Sequence, residues 1–159
     1  MKKLITLKQL LSLRQQCQRQ GATLVWTNGC FDFMHAGHVD YLQRAKKCGD
    51  LLVIGLNSDR SMKILKGATR PICSQQHRAQ VLAALSVVDN IIIFDDSSPI
   101  EIIKKLQPDF YIKGGDYSID SIDQNERRAV ESYGGKIIIL PEVKGISTSG
   151  IIQKIKKYY

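Results

Sequence analysis

Two histidines stand three residues apart in the segment 27–38, which reads TNGCFDFMHAGH. The segment follows a short apolar run, 22–26, and precedes a stretch whose periodicity predicts a helix. His35 and His38 are therefore expected at the N-terminus of that helix, where free backbone N–H groups already favour an anion. Imidazole N–H groups can add hydrogen bonds to a phosphate whose charge grows during displacement. We predict a phosphate-binding site with both histidines as catalytic residues.

The residues around the histidines fit the same interpretation. Asn28-Gly29 predicts the turn that delivers the loop, and Gly37 lets the backbone approach where a Cβ would obstruct. Asp32 has two interpretations, a turn-forming or positioning group and a substrate-binding group. A histidine pair can also bind a metal ion, but no third ligand stands at a useful spacing, so we predict no metal ligand in the protein.

Hydroxyl and cationic side chains supply further candidates. Ser147, Thr148 and Ser149 precede the last predicted helix, where one hydroxyl would suffice as a cap and three in a row indicate an anion site. Lys66, Arg70 and Arg78 are cations that can neutralise phosphate groups at the expected ligand edge. The alternative for each cation is a solvated surface charge.

The elements that must position these residues alternate between apolar runs and amphipathic stretches. This alternation predicts an α/β fold, a doubly wound five-stranded parallel sheet of Rossmann-like type, with ligands beyond the carboxyl ends of the strands. We expect one domain over 1–159, with 1–20 as an N-terminal helical extension. The predicted strands are 22–26, 51–56, 90–94, 109–113 and 136–140. The predicted helices are 6–20, 37–47, 59–65, 74–87, one from Ser97-Ser98-Pro99 to before Pro108, 120–133 and one after Ser149.

The composition is that of a soluble protein, with 43% hydrophobic and 24% charged residues. No apolar run reaches the roughly 18 residues that cross a bilayer, and Lys8 and Gln9 interrupt the apolar start, which argues against a signal peptide. We therefore expect a cytoplasmic protein with no membrane partner. The four cysteines form no CxxC pair and are expected to be packing residues.

The formal net charge of +8 is compatible with a nucleic acid, a membrane surface or an anionic small substrate. The basic residues form no block of five or six, and aromatic residues are not interleaved with them. We favour a phosphate-binding pocket on a generally basic surface and expect no nucleic-acid partner.

Two motifs carry a resemblance to a known family. Gly29-Cys-Phe-Asp-x-x-His-x-Gly-His38 and Ile146-Ser-Thr-Ser149 resemble the signatures of the HxGH cytidylyltransferase-like nucleotidyltransferases. The resemblance implies transfer of an NMP group from an NTP to a small phosphorylated substrate, with Mg²⁺ bound to the NTP. It implies nucleotide contacts for Asn28, Gly29, Phe31, Gly37, His38, Arg78, Ser147, Thr148 and Ser149.

A narrower resemblance rests on Lys66-Gly-x-x-Arg70-Pro71, His77-Arg78 and Lys113-Gly-Gly-Asp-Tyr117. These runs are similar to the D-glycero-β-D-manno-heptose 1-phosphate adenylyltransferase (ADP-heptose synthase) domain. This implies ATP and a sugar phosphate as substrates, ADP-heptose for lipopolysaccharide or a related glycan as the product, and a separate sugar kinase upstream. Lys66 would act in catalysis. Substrate contacts are assigned to Asp32, Lys66, Arg70, Lys113, Gly114 and Asp116.

Within this assignment, Gly114 and Gly115 would let a bulky sugar approach the backbone. Asp116 would bond a ring hydroxyl, and Lys113 would face either a phosphate or a ribose. Related glycerol-phosphate cytidylyltransferases carry an Arg-Thr pair shortly before the ISTT element, where this chain has Glu142-Val143. That departure argues against cytidylyl transfer.

Other functions stay open at the level of the sequence. One is another enzyme of the same fold, such as a glycerol-3-phosphate, phosphoethanolamine or choline-phosphate cytidylyltransferase or an FMN adenylyltransferase. A second is a nucleotide-binding module without catalysis, and a third is a basic nucleic-acid-binding domain. A homodimer is expected from general frequency alone.

Overall fold

Five parallel strands form the central sheet in a computed structural model that describes residues 2–115, 117–143 and 145–158. The strands are β1 (Leu24–Gly29), β2 (Leu51–Asn57), β3 (Asn90–Phe94), β4 (Phe110–Gly114) and β5 (Lys136–Leu140). Each is a short run rich in β-branched or other apolar residues, as expected for strands that are covered on both faces. The predicted α/β fold with a five-stranded parallel sheet is confirmed.

Helices connect the strands in the predicted order. They are α1 (Leu7–Gln20), α2 (Ala36–Lys46), α3 (Asp59–Lys66), α4 (Gln75–Ala84), α5 (Ile100–Leu106), α6 (Gln124–Glu131) and α7 (Thr148–Tyr158). Two of them are shorter than predicted. Helix α4 ends before Leu85, whose backbone is extended, and α6 begins after Asp123, whose carboxylate accepts hydrogen bonds from the N–H groups of Asn125 and Glu126.

The strand order β3-β2-β1-β4-β5 places β1 at the centre of the sheet. From β1 the chain moves outward through β2 to β3, and it then returns to pair β4 with the other side of β1. The direction of winding therefore reverses between β1 and β4. In sheets of this kind the connections diverge at that point and leave a crevice beyond the carboxyl ends of the strands.

The sheet separates two hydrophobic cores, because successive side chains of a strand point to opposite faces. Trp26 packs with Leu10 and Ile103 on the face covered by α1, α5 and α6. Its neighbour Val25 packs with Leu42 and other residues of the second core.

Helix α1 joins the first of these cores. It begins with a capping box between Thr6 and Gln9 and ends at Gly21, whose backbone is left-handed. Its Arg14 forms two hydrogen bonds to the carboxylate of Asp109, at 2.7 and 3.0 Å. The segment that the sequence suggests as an extension therefore packs against the same sheet as the other helices.

The sequence also predicts packing roles for the four cysteines and no membrane-spanning segment. Cys17 is buried in the core, whereas Cys30, Cys48 and Cys73 are partly exposed, and none of the four forms a disulfide. Among the described residues, every helix is too short or too polar to span a bilayer.

Candidate active site

A cavity of about 800 Å³ lies beyond the carboxyl ends of the strands. Loops that follow four of the strands contribute to its walls, together with the start of α7. The predicted site residues that line it are Asn28, Gly29, Phe31, Asp32, His35, Gly37, His38, Lys66, Arg70, Lys113, Gly114, Ser147, Thr148 and Ser149. Arg78 does not line it, and Asp116 lies outside the described residues. The roles assigned to the lining residues stay predictions.

The loop after β1 has an unusual backbone at Phe31. Its φ of 46° is in the left-handed region, which a bulky residue adopts only when its surroundings require it. The ring is buried and meets the ring of His38 edge-on, with 5.5 Å between centroids. A Cβ at Gly29 would stand 3.1 Å from the Phe31 ring, so the glycine gives the ring its place beneath the histidine.

His35 and His38 stack on each other at the N-terminus of α2. Their ring centroids are 3.9 Å apart, and the ring planes differ by 29°. Gly37 makes this arrangement possible, because a Cβ there would lie 3.1 Å from the His35 ring and 3.2 Å from a methyl group of Ile146. In the structure, the space that Gly37 leaves is thus filled by protein atoms.

Both imidazoles are held in their neutral form. Burial lowers the pKa of His38 to about 4, and the nearby His35 lowers it further. Burial also lowers the pKa of His35. Within the described part of the chain, Nδ1 of each ring is buried without a hydrogen-bond partner. Nε2 is therefore the ring nitrogen that can reach a ligand in the cavity.

Asp32 is engaged by the loop that carries Arg70. Its carboxylate accepts hydrogen bonds from Nη1 of Arg70 at 2.8 Å and from the backbone N–H groups of Ile72 and Cys73 at 2.8 and 3.0 Å. Burial alone would raise the pKa of Asp32, but these hydrogen bonds hold it below its usual value. The geometry matches the positioning interpretation of Asp32, since the carboxylate fixes the loop against the histidine segment.

Arg78 requires a correction. The sequence places it among the cations that bind the nucleotide, but its side chain is only 1% exposed and lies behind the cavity wall. The guanidinium donates to the carbonyl oxygens of Cys73 and Cys30 and to the carboxylate of Asp59. Because all three of its nitrogens are used inside the protein, Arg78 joins two loops of the site and has no face left for a phosphate.

Lys66 and Arg70 supply positive charge to the lining of the cavity. Lys66 is the last residue of α3, and its side chain is exposed and forms no ion pair among the described residues. Arg70 lines the cavity while it contacts Asp32. The histidine pair thus shares its cavity with a lysine whose charge is not paired within the described part of the chain.

At the end of β4 the charges are paired. Nζ of Lys113 lies 2.7 Å from Oε2 of Glu126, a buried carboxylate in the first turn of α6. The same oxygen accepts a hydrogen bond from the hydroxyl of Tyr111 at 2.7 Å, and that hydroxyl lies 2.8 Å from Oδ1 of Asn28. Sequence reasoning missed Glu126, because it stands in a polar helix far from any motif.

The missing side chain of Gly114 makes room for a tyrosine of the protein itself. A Cβ at this position would lie 2.6 Å from the ring of Tyr41, whose hydroxyl bonds with Thr27 and with the carbonyl of Ile112. The ring of Tyr41 therefore occupies the space that the glycine was expected to leave for a sugar. Gly115 has a φ of 118°, in the region that favours glycine, and a Cβ at this position would point toward the ring of Tyr117.

The hydroxyl residues at the start of α7 line the cavity, and two of them also form hydrogen bonds within the protein. Oγ of Ser147 accepts a hydrogen bond from the N–H of Gly150 at 3.0 Å, as a helix cap does. Thr148 lies 3.4 Å from the carbonyl of Phe33 and so contacts the histidine segment. The start of α7 is thereby held next to the start of α2, and two helix N-termini meet the same cavity.

Other residues also line the cavity. Cys30, Gly115, Tyr117 and Ile146 stand within the sequence motifs, and Asn57, Ser97, Glu142 and Val143 end or follow strands. Tyr41, Met62, Leu65 and Glu126 lie in helices, and only the tertiary structure brings them to the cavity.

The described residues contain no group of three or more His, Cys, Asp or Glu that could hold a metal ion. Asp32 and Glu126, two of the carboxylates that line the cavity, already bind Arg70 and Lys113. These side chains thus do not fit a metal site that is built from protein ligands.

Comparison with known proteins identifies the family. The model of the cytidylyltransferase-like family matches residues 26–154, which include the histidine segment, the cavity and the start of α7. The chain belongs to the cytidylyltransferase-like family. The family that the two sequence motifs suggest is therefore confirmed.

Several curated proteins are similar to this chain in sequence. The bifunctional protein HldE of Syntrophotalea carbinolica is 50% identical over 142 residues, which are 89% of this chain and 29% of the relative. HldE of Campylobacter fetus is 47% identical over 155 residues, 98% of this chain and 32% of the relative. The chain thus spans about a third of the length of these curated relatives.

Solved structures share the fold. A lipopolysaccharide core biosynthesis protein from Thermoplasma volcanium superimposes with a TM-score of 0.63 at 28% identity, over 79% of this chain and all of that one. A pantoate-β-alanine ligase from Francisella tularensis has a TM-score of 0.63 at 15% identity, over 98% of this chain and 77% of that one. The second likeness concerns the fold alone.

Proposed function

We propose that this member of the cytidylyltransferase-like family transfers AMP from ATP to a heptose 1-phosphate and releases pyrophosphate. The product is ADP-heptose, a precursor of lipopolysaccharide or a related glycan. The observation that carries the proposal is the neutral, stacked pair of His35 and His38 at a helix N-terminus, inside a cavity that Lys66 also lines. The names of the relatives and the heptose-type motifs support the choice of substrate.

In the proposed reaction, a phosphate oxygen of the sugar phosphate attacks the α-phosphorus of ATP in line. The bond from that phosphorus to the bridging oxygen breaks, and pyrophosphate leaves with the electron pair. The nucleophile is already an anion, so no side chain must remove a proton from it. The chain's contribution is to position the two substrates and to stabilise the charge that develops.

The histidines are suited to that task because they are neutral. A neutral imidazole with Nδ1 buried can carry its proton on Nε2 and donate it as a hydrogen bond to a phosphate oxygen. The N-terminus of α2 adds its backbone N–H groups at the same place. Donors that are fixed before the reaction stabilise the growing charge at no cost of reorganisation.

The remaining groups would bind the two ends of the substrates. Lys66 would neutralise phosphate charge next to the histidines, and Arg70 would support it from the loop that Asp32 fixes. The hydroxyls of Ser147, Thr148 and Ser149 and the start of α7 would hold the pyrophosphate part of ATP.

Mg²⁺ enters this proposal as part of the nucleotide complex. The ion would neutralise phosphate charge on the bound NTP and reduce the repulsion between its oxygens. Since the carboxylates of Asp32 and Glu126 are engaged by Arg70 and Lys113, we expect phosphates and water to supply most of its ligands. A sugar kinase that makes the heptose 1-phosphate is also part of the proposal, because the reaction requires a phosphorylated sugar.

The test is a panel of ATP, CTP, GTP and UTP against heptose 1-phosphate, glycerol 3-phosphate, phosphocholine, phosphoethanolamine and FMN, with pyrophosphate release as the readout. We expect the highest kcat/KM for ATP with heptose 1-phosphate. A preference for CTP with glycerol 3-phosphate would overturn the substrate assignment and keep nucleotidyl transfer. Absence of turnover with every pair would instead favour a nucleotide-binding module.

A further inference from the structure

The strongest unexplained feature of the cavity is the ion pair between Lys113 and Glu126. A buried carboxylate is costly unless it is paired, and Glu126 is only 6% exposed. The pair does not sit in a hydrophobic core, however, since both side chains line the cavity. Their charges therefore face whatever ligand the cavity holds.

A second ion pair, between Arg14 and the partly exposed Asp109, shows what a purely structural arrangement looks like in this fold. Both carboxylate oxygens of Asp109 are used, because Arg14 bonds each of them and the N–H of Leu24 adds a third hydrogen bond. That pair does not line the cavity. Glu126 differs, because Tyr111 and Lys113 both contact Oε2, and no hydrogen bond to Oε1 is formed in the described part of the chain.

The chemistry of the pair selects the kind of ligand. A phosphate would be repelled by the carboxylate, so Lys113 with Glu126 beside it is a poor phosphate site. A hydroxyl group both donates and accepts hydrogen bonds, and it fits a carboxylate and an ammonium group that lie 2.7 Å apart. Two hydroxyls on neighbouring ring carbons fit such a donor and acceptor together.

We propose that Glu126 and Lys113 bind two neighbouring hydroxyl groups of a sugar ring, with Glu126 as a specificity-determining residue. The inference rests on the proposed function, which brings two such rings into the cavity, the ribose of ATP and the sugar of the second substrate. Tyr111 fixes the carboxylate and links it to Asn28, which lies at the start of the segment 27–38 that contains both histidines. Binding of the sugar ring in the correct position is thereby coupled to the position of the loop that carries His35 and His38.

Titration calorimetry with deoxy analogues tests the proposal and separates the two sources of hydroxyls. The nucleotide arm compares ATP with 2′-deoxyATP and 3′-deoxyATP. The sugar arm compares heptose 1-phosphate with its monodeoxy analogues. In one of these two arms, the wild-type protein should bind a deoxy analogue roughly 10- to 100-fold more weakly than the parent compound of that arm. This is the range expected for the loss of a hydrogen bond to a charged group.

Glu126→Gln should lower that ratio several-fold, because a hydrogen bond to a charged group becomes a neutral one, while the affinity for pyrophosphate, which has no hydroxyl of this kind, should not fall. Glu131→Gln is the matched control, because Glu131 lies on the same helix, is exposed and binds Arg127 outside the cavity. It should keep the wild-type ratios.

Two results would overturn the inference. One is a wild-type protein that binds every deoxy analogue as tightly as its parent, a measurement that needs no folded variant. The other is a folded Glu126→Gln protein with wild-type ratios in both arms. Wild-type discrimination on the ribose without turnover of heptose 1-phosphate would defeat the proposed function and leave this inference standing.

Discussion

Arg78 and the pair of His35 and His38 both lie beside the loop that follows β1, but they differ in hydrogen bonding. Every nitrogen of the Arg78 guanidinium has a partner inside the protein, in Cys73, Cys30 and Asp59. His35 and His38 form no such bonds in the described part of the chain, and burial keeps them neutral. Polar groups whose bonds are satisfied hold the loops in place, whereas those with unused donors are available to a substrate.

The two kinds of residue should therefore respond differently to substitution. Loss of a histidine should reduce catalysis and leave the fold intact. Loss of Arg78 should reduce stability, because it leaves two carbonyl groups and a carboxylate without their donor. The predictions below follow from this contrast.

The largest effect is expected at the histidines. His35→Ala or His38→Ala should lower kcat by about 10²- to 10³-fold, because each removes a donor that acts on the transition state. Steady-state kinetics together with circular dichroism and Tm measure both parts of the claim. His77→Ala is the control, since His77 is exposed outside the cavity. A near-normal kcat in His38→Ala would refute its catalytic role.

Arg78→Met should lower the free energy of unfolding by about 3 kcal/mol, in the range for removing one partner of a buried ion pair. Urea unfolding measures this change. In the fraction that is folded, KM for ATP should rise only modestly, because Arg78 does not touch the cavity. A variant of normal stability whose KM for ATP rises as much as that of a Lys66 variant would restore Arg78 as a nucleotide-binding residue.

Lys66→Ala should raise KM for ATP or for the sugar phosphate, or lower kcat, by roughly 10- to 100-fold, because a charged hydrogen bond to phosphate is lost. Lys63→Ala is a close control: Lys63 is exposed on the same helix α3 but does not line the cavity. Kinetic constants that change equally in the two variants would mean that Lys66 is a surface charge.

The smallest effect concerns pH. The pKa of His38 is about 4 in the folded protein and ordinarily 6.5. Between these two pH values, the unfolded chain therefore binds a proton that the folded chain does not. Its contribution to the free energy of unfolding therefore decreases as pH falls from 6.5 to 4. His38→Gln should flatten this part of a plot of Tm against pH. Equal slopes in wild type and variant would contradict the lowered pKa.

The fold was largely predictable, and the reason is visible in particular segments. The runs 51–56, 90–94 and 136–140 are continuous apolar stretches between turn residues, so their length and burial leave few alternatives. The cap at Thr6 and the stop at Gly21 are local signals, and helix α1 lies between them. The order of the strands was not predicted, because pairing depends on contacts between distant segments.

The candidate site was predicted less evenly. The histidine segment and Ser147–Ser149 are local patterns, and the structure brings both to one cavity. Arg78 and Lys66 are both cationic residues in the sequence, and only the burial of the Arg78 side chain in the structure distinguishes the two. Glu126 reaches the cavity because α6 packs beside β4, a tertiary contact that no short motif records.

The central claim, attack on the α-phosphorus of ATP, is tested most directly by the fate of labelled phosphate. The protein is incubated with heptose 1-phosphate and ATP that carries the label at either the α- or the γ-phosphorus, and the products are separated. The account predicts that the α-label appears in ADP-heptose and the γ-label in pyrophosphate. Transfer of the γ-label to the sugar, with ADP as the second product, would contradict it.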